Sequence, residues 1–371
     1  MSILERPLRR LADSPLARVA TWPHGVDGYA GVFDTAWSSR AVRARVEAIR
    51  RQTGDTVTLL LRPNANWQGH RAGQHVLVTV EVDGVHQARC FSVASAPADR
   101  STVELTCKVG PDSIVARHLR EQAAVGDVVE LSQAQGEFVL DDGAPPGRPV
   151  LLVSAGSGIT PVLSMLRHLD EGAVDDAPPV TFAHYARSGD DVLYAREVAE
   201  IVARRPTWRA VTVTEHDTTG DLHGRFDPGH LSAMGARPRA GEAYVCGPAP
   251  FMQAVSAAWR QAGGAAGRFH TESFGAPPAA SGRPGGTLRF ARSGVEVVSD
   301  GRSILEQAEA AGIRAAHGCR RGICHTCVVP RTSGCVRVAA DGSTEAEPGD
   351  VAGTPVRICV TVPDGDVELD L

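Results

Sequence analysis

Four cysteines constrain this chain more than any other feature. Cys319, Cys324 and Cys327 lie in the run His317-Gly318-Cys319-Arg320-Arg321-Gly322-Ile323-Cys324-His325-Thr326-Cys327, and Cys359 follows after a long gap. C-x4-C-x2-C closed by a distant fourth thiolate is the spacing of a plant-type [2Fe–2S] site. A loop wrapped tightly around a cluster leaves backbone N–H groups aimed at the sulfurs, where they stabilise the reduced state. Gly318 and Gly322 relax the steric limits where the chain must curl. The competing reading is a zinc site with four cysteine ligands. Zinc sites favour two short C-x2–4-C pairs, whereas three candidates here crowd one loop and the fourth stands alone. The spacing favours one-electron chemistry.

At 371 residues the chain is long enough for two or three domains. A hydrophobic content of 43% suits a globular protein, and a formal net charge of −5 gives no case for a nucleic-acid partner. Lys108 is the only lysine among 38 basic residues, so an arginine taken singly carries little functional weight. Setting the cluster candidates aside leaves Cys90, Cys107, Cys246 and Cys335, far apart and unlike a secreted disulfide scaffold. The first residues lack the apolar core of a signal peptide, and no stretch reaches transmembrane length. The expected location is cytoplasmic, with peripheral docking on a membrane-bound partner left open.

Residues 1–39 form a mixed extension with Leu4, Leu8, Leu11 and Leu16 among arginines and prolines. It either packs on the chain's own core or makes a basic amphipathic membrane contact. From 40 to 145, short β-rich runs such as Val57-Thr58-Leu59-Leu60-Leu61 and Val76-Leu77-Val78-Thr79-Val80 alternate with turn signals, Asp83-Gly84 and Gly126-Asp127 among them. That pattern predicts an antiparallel barrel. From 149 to 275, apolar strands at 150–153, 180–183 and 243–245 alternate with helical periodicity, first over 162–169, as in a parallel sheet. Residues 276–286 have linker composition, and 287–371 hold the cysteines, with a helix expected over 303–311.

Three further runs stand where ligands bind. Ser154-Ala155-Gly156-Ser157-Gly158-Ile159-Thr160-Pro161 joins a strand to a helix, where backbone N–H groups and the helix dipole suit a pyrophosphate. A plain tight turn would use the same residues, and the run is not G-x-G-x-x-G. Tyr244-Val245-Cys246-Gly247-Pro248 puts a thiol and a glycine at a strand's C-terminal end. Arg89-Cys90-Phe91-Ser92-Val93 offers a guanidinium fork suited to phosphate, an aromatic face and a hydroxyl, though alone it reads as an ordinary strand.

Together and in this order, these runs resemble the ferredoxin–NADP reductase superfamily over residues 40–371. They look most like its members with a C-terminal plant-type ferredoxin domain, the reductase components of bacterial oxygenases and desaturases. The resemblance implies a multidomain chain: an antiparallel β-barrel flavin domain, an α/β parallel-sheet nucleotide domain and a β-grasp ferredoxin-like C-terminal domain. It implies that Arg89 binds the phosphates of FAD, that Phe91 packs on the isoalloxazine where the family has tyrosine, and that Ser92 approaches the reactive N5. The second flavin segment aligns with Lys108 to Ala116; there Val115 and Ala116 offer only backbone N–H groups, since Ala116 replaces a phosphate-binding hydroxyl. Gly136-x-Phe138 matches the segment ending the flavin domain.

Gly156, Gly158, Thr160 and Pro161 match the nicotinamide nucleotide loop, with Ala155 in place of its first glycine. Cys246, Gly247 and Pro248 match C-G-P, whose cysteine lies near the nicotinamide. His270-x-Glu272-x-Phe274 resembles the closing segment, in which Phe274 would shield the flavin's other face and Glu272 would join Ser92 and Cys246 in the catalytic set. Arg187 and Ser188, followed by Asp191 and Tyr194, resemble the segment meeting the adenosine ribose and lean toward NADPH over NADH. Cys319, Cys324, Cys327 and Cys359 would hold the cluster.

The implied activity is electron transfer from NAD(P)H to FAD, to the [2Fe–2S] cluster, and on to a separate terminal oxygenase, desaturase or cytochrome P450. The extension, with Trp37-Ser38, looks similar to reductases serving membrane acyl-lipid desaturases. Residues 287–371 carry 9 arginines against 12 acids, many in the tail (Asp364, Asp366, Glu368, Asp370), which predicts a basic docking patch on the partner. Two alternatives stand beside this reading. One is a cluster-bearing redox sensor without turnover, supported by Phe91 and Ala116. The other is a flavin or quinone reductase with a structural metal domain.

Overall fold

The structure, a computed structural model, describes residues 21, 25–110, 113–141, 143–145, 147–173, 177–274, 282, 284–318, 320, 322, 325–339, 343–347 and 349–371. The chain divides between Ser273 and Phe274 into two compact units. After helix α1 (Gly25–Phe33), the first unit opens with β1 (Val42–Thr53), β2 (Thr56–Pro63), β3 (His75–Val82), β4 (Val85–Ser92), β5 (Val103–Lys108) and β6 (Val128–Leu131). They form an antiparallel sheet in the order β4-β3-β6-β1-β2-β5. Asp83 and Gly84 both take positive φ (52° and 75°), the two-residue turn whose twist suits a hairpin, so β3 and β4 pair from Val82 and Val85 onward. A bridge from Val93 to Leu105 joins the sheet's two edges and closes the barrel around Val46, Leu59, Leu61, Val78 and Leu105. Each such buried aliphatic side chain contributes about 1.5–3 kcal/mol. Helix α2 (Ile114–Glu121) adds Val115 and Leu119 to that core.

The chain then alternates: β7 (Val150–Ala155), α3 (Ile159–Glu171), β8 (Val180–Ala186), α4 (Ala195–Ala203), β9 (Arg209–Thr214), β10 (Leu222–His223), α5 (Pro228–Ala233), β11 (Glu242–Cys246), α6 (Ala249–Gln261) and β12 (Phe269–Glu272). These strands form a parallel sheet ordered β10-β9-β8-β7-β11-β12. Its central strands are near-continuous apolar runs because both faces are covered. From β7 the chain first builds toward β10 and then returns to place β11 on the other side, so the crevice between β7 and β11 is the topological switch point. Helix α3 starts earlier than its periodicity predicts, directly after Gly158; Pro161 is tolerated because N–H groups of a first helical turn have no intrahelical partner to lose.

The second unit holds β13 (Thr287–Phe290), β14 (Val295–Val298), α7 (Ile304–Ala310), β15 (Val328–Val338), β16 (Thr344–Ala346), β17 (Thr354–Arg357) and β18 (Thr361–Leu369). The mixed sheet runs β14-β13-β18-β15-β16, with β17 also on β15; β13 and β18 are parallel and the other pairs antiparallel. Helix α7 begins with the reciprocal Ser303–Glu306 capping box and buries Ile304 and Leu305 against Leu288, Phe290 and Leu369, the β-grasp arrangement expected.

Leu4, Leu8, Leu11 and Leu16 lie outside the described residues, as does most of the expected linker. The described end of the extension is tied down: Asp27 accepts hydrogen bonds from Ser38 Oγ (2.9 Å) and the Ser39 N–H (3.0 Å), and Asp34 pairs with Arg45 of β1 (2.6 Å). No helix among the described residues is long and apolar enough to cross a membrane.

Candidate functional site

The glycine loop and the C-G-P run meet at the switch point. Gly158 is pressed so closely on the Cys246–Gly247 peptide that a Cβ there would stand 2.3 Å from the Cys246 carbonyl oxygen. Thr160 is buried and donates from Oγ1 to the Ser157 carbonyl (3.2 Å), fixing the loop's exit into α3. Pro161 is buried beside it, while Pro248 opens α6 from the surface.

At the end of β12, Glu272 reaches across to the barrel. Its Oε2 accepts from Ser92 Oγ (3.3 Å), and its Oε1 lies 3.2 Å from His75 Nδ1. All three side chains are buried, and the β3–β4 register sets His75 directly opposite Ser92. Cys246 stands beside Glu272 in the sheet. Complete burial, then the Glu272 carboxylate, push the Cys246 thiol well above its ordinary pKa, so it is a neutral thiol rather than a nucleophile. His75 carries no motif that marks it; only the pairing of β3 with β4 and the approach of β12 bring it to this place.

The expected phosphate ligands of the barrel lie around α2. The N–H groups of Ile114, Val115 and Ala116 precede the first bond into that helix, from the Arg117 N–H to the Ser113 carbonyl (3.0 Å). The dipole favours an anion there. Arg89 on β4 is half-buried and donates from Nη1 to the Ala88 carbonyl (2.8 Å), while Phe91 packs against the barrel core. A guanidinium and backbone donors are the chemistry a flavin dinucleotide's phosphates need, so the missing hydroxyl at Ala116 does not leave the helix start without donors.

Arg187 and Ser188 share one partner. Arg187 Nη2 donates to Asp191 Oδ1 (2.7 Å) and to Asp55 Oδ2 (3.2 Å), and Ser188 Oγ donates to Asp191 Oδ2 (3.0 Å). Burial raises the Asp191 carboxyl, but these two hydrogen bonds outweigh it and hold the group below its ordinary value. Nearby, Tyr194 takes a left-handed backbone (φ 57°) and donates to Glu104 Oε1 (2.9 Å), with its hydroxyl 2.5 Å from Thr106 Oγ1. Arg167 of α3 donates to Glu104 Oε1 (2.9 Å) and the Ala94 carbonyl (2.7 Å) of the barrel, and to Glu197 Oε1 (2.6 Å) of its own domain. A buried ion pair thus fastens barrel to sheet.

In the second unit, Cys327 precedes β15 and Cys359 follows β17, and the pairing of those strands brings their buried sulfurs to 3.0 Å. Two soft thiol donors side by side fit a shared iron of a thiolate-held cluster. Cys319 and Cys324 lie outside the described residues. Phe274, half-buried, is the first residue of this unit. The acidic tail is largely compensated: Asp364 pairs with Arg337 (2.6 Å), Asp370 with Arg292 (2.5 Å) and Glu368 with Arg289 (3.7 Å), while Asp366 accepts from the Thr287 N–H (2.7 Å). These pairs distribute the tail's charge locally and leave the unit's net charge unchanged.

Three family models match the chain in order: an oxidoreductase FAD-binding domain over residues 44–140, an oxidoreductase NAD-binding domain over 152–257, and a 2Fe-2S iron-sulfur cluster binding domain over 289–364. An NADPH oxidoreductase of Mycobacterium tuberculosis is 35% identical, across 98% of this chain and 92% of its own. The glycine betaine monooxygenase reductase subunit of Pseudomonas aeruginosa is 29% identical, across 81% of this chain and 87% of its own. Among solved structures, phthalate dioxygenase reductase shares the fold, with a TM-score of 0.60 at 24% identity, covering 89% of this chain and 98% of its own. The C-terminal match is to an iron–sulfur domain, which sets the zinc alternative aside. Flavin barrel, nucleotide sheet and cluster domain follow one another along the chain, which belongs to the iron–sulfur flavoprotein reductases of the ferredoxin–NADP reductase superfamily.

Proposed function

We propose that this reductase draws on NADPH in preference to NADH and supplies electrons singly to a separate terminal oxygenase, desaturase or cytochrome P450 in the cytoplasm. The observation that carries the reading is the contact of Glu272 with Ser92 beside Cys246, at the mouth of the glycine loop. FAD, when bound, accepts a hydride and releases its two electrons one at a time, and the cluster carries one.

The chain's own residues then divide the work. Arg89 and the N–H groups of Val115 and Ala116 bind the flavin phosphates, and Phe91 packs on its ring. Ser92 holds a proton on Oγ, directed by Glu272, and Cys246 fills the adjoining space as an uncharged thiol that excludes water. Gly156, Gly158, Thr160, Pro161, Gly247 and Pro248 form the nucleotide's seat. Arg187 and Ser188 turn from Asp191 toward a 2′-phosphate. Cys319, Cys324, Cys327 and Cys359 ligate the cluster. Support for NADPH comes from that arginine–serine pair and from the name of the Mycobacterium tuberculosis relative; support for an oxygenase partner comes from the reductase subunit of Pseudomonas aeruginosa. The intact Ser92–Glu272 contact argues for turnover and against the sensor alternative. Functional borders are placed at 40–145, 149–275 and 287–371, with 276–286 as linker; the bond from the Gly282 N–H to the Gly301 carbonyl (3.0 Å) supports counting the linker's end with the third domain.

An anaerobic absorbance titration of the purified chain, with NADPH and NADH in separate cuvettes, tests this. Bleaching of both the flavin and the iron–sulfur bands, at lower NADPH than NADH, is the expected result. Flavin bleaching with an unchanged cluster band would overturn the relay, and equal potency of NADH would overturn the nucleotide preference.

A further inference from the structure

We propose that Arg357 and Glu345 form a fixed charge pair that sets the reduction potential of the cluster, the guanidinium raising it and the carboxylate lowering it, while the same guanidinium holds the cluster loop. The proposal rests on the [2Fe–2S] reading of the second unit.

Arg357 is the last residue of β17 and pairs with Val328, the neighbour of Cys327; Cys359 follows two residues later. Its side chain is anchored at both ends. Nη1 donates to the carbonyl of Gly322 (3.3 Å), which lies in the loop between Cys319 and Cys324, and Nε donates to Glu345 Oε1 (2.8 Å). Glu345 Oε1 also accepts from the Arg357 backbone N–H (3.3 Å), so the carboxylate clamps both the strand and its side chain. Glu345 Oε2 is buried with no hydrogen-bond partner among the described residues, an arrangement that leaves its charge poorly screened. Gly322 itself has a positive φ (75°), and a Cβ there would stand 2.9 Å from Val360 Cγ2.

An arginine keeps its charge at every working pH. Adding one electron to the cluster makes or breaks no bond and adds one negative charge. A fixed cation close by stabilises that product more than the oxidised form, and a fixed anion does the reverse. Arg357 stands two residues before Cys359, faces the neighbour of Cys327 across the β15–β17 ladder, and reaches the Gly322 carbonyl between the other two candidate ligands, so its charge lies beside the cluster's ligands. The two members of the pair therefore act on one quantity with opposite signs, which separates a charge effect from a loosening of the loop.

The experiment is an EPR-monitored redox titration of the full chain and of R357Q, R357K, E345Q and the double variant R357Q/E345Q. The expected midpoint moves to more negative potential in R357Q and more positive in E345Q, and stays near that of the unmodified chain in R357K and in the double variant. Cluster absorbance is expected to decay severalfold faster under EDTA in R357Q than in the unmodified chain, because the loop has lost its anchor. Shifts of one sign in both R357Q and E345Q, or no shift in either with the cluster spectrum intact, would overturn the proposal. If R357Q does not retain a cluster, E345Q decides: an unchanged potential overturns the charge effect and a positive shift supports it. An unmodified chain without an iron–sulfur spectrum would instead overturn the reading of the second unit, and the proposal with it.

Discussion

Ser92 of the flavin barrel and Glu272 of the last nucleotide-sheet strand are 180 positions apart in sequence and 3.3 Å apart in space. The contact can form only when β12 closes against the mouth of the barrel, so one hydrogen bond reports on the assembly of the whole crevice. In Ser92→Ala or Glu272→Gln, reduction of the bound flavin by NADPH is expected to slow by about 10²-fold, as for loss of a positioned proton-holding group. Stopped-flow absorbance at equal flavin content checks this, and a rate within twofold of the unmodified chain would remove Ser92 and Glu272 from the reaction.

Asp191 holds both Arg187 and Ser188, so a 2′-phosphate bound as proposed would have to displace it. Arg187→Ala should raise KM for NADPH by roughly tenfold, the loss of one charge-assisted contact, and leave KM for NADH within about twofold. Asp191→Asn should lower KM for NADPH, since the nucleotide no longer displaces an anion. Steady-state kinetics with both nucleotides reads the two effects; equal losses for NADH and NADPH would place Arg187 elsewhere than at the 2′ position.

Arg167 is the joint between barrel and sheet. Arg167→Met leaves Glu104 buried without its cation, a change expected to destabilise by about 3 kcal/mol. Glu104→Gln in the same chain should restore part of that loss. Urea unfolding followed by flavin release gives both numbers, and additive losses in the double variant would contradict a coupled pair.

His184 is buried at the end of β8, with Nδ1 2.9 Å from Ser154 Oγ. Burial, aided by the charge of Lys108, lowers its pKa to about 4 from 6.5. The unfolded chain therefore binds this proton first as pH falls. Stability is full above pH 6.5 and is lost progressively down to about pH 4, by about 3 kcal/mol in all for this group. His184→Gln should flatten that part of the pH–stability curve, and denaturant midpoints measured from pH 7 to pH 4 on both chains make the comparison.

Cys327 and Cys359 should be separable from the flavin reaction. Cys327→Ser is expected to remove the iron–sulfur absorbance and the reduction of a protein acceptor while ferricyanide reduction by NADPH continues at its former rate. Treatment that strips the cluster from the unmodified chain should do the same. Unchanged acceptor reduction after loss of the iron–sulfur band would show that electrons leave directly from the flavin.

Features set by local sequence were legible, and those set by register were not. Asp83-Gly84 announces the β3–β4 hairpin because few residues accept positive φ, and the Ser303–Glu306 pair announces α7 because a capping box is a four-residue object. The start of α3 is less plain, since Thr160-Pro161 looks like an interruption and proves to be the first turn. His75 is invisible in sequence: its importance comes from facing Ser92 across a ladder and Glu272 across a crevice. Asp191 reads as a neighbour of the nucleotide segment, not as the anion that already holds Arg187 and Ser188. The tail's ion pairs are hidden for the same reason, because Arg289 and Arg292 meet Glu368 and Asp370 only once β13 lies along β18.

The seam around Arg167 also governs how such a chain can be recut. A guanidinium rooted in α3 that ends on a barrel carboxylate and a barrel carbonyl commits the two halves to a common ancestry of side chains. A chimera that exchanges the nucleotide domain alone inherits half of a lock. One that crosses over between Ser273 and Phe274 keeps the seam whole, with both sides of the lock on the same parent.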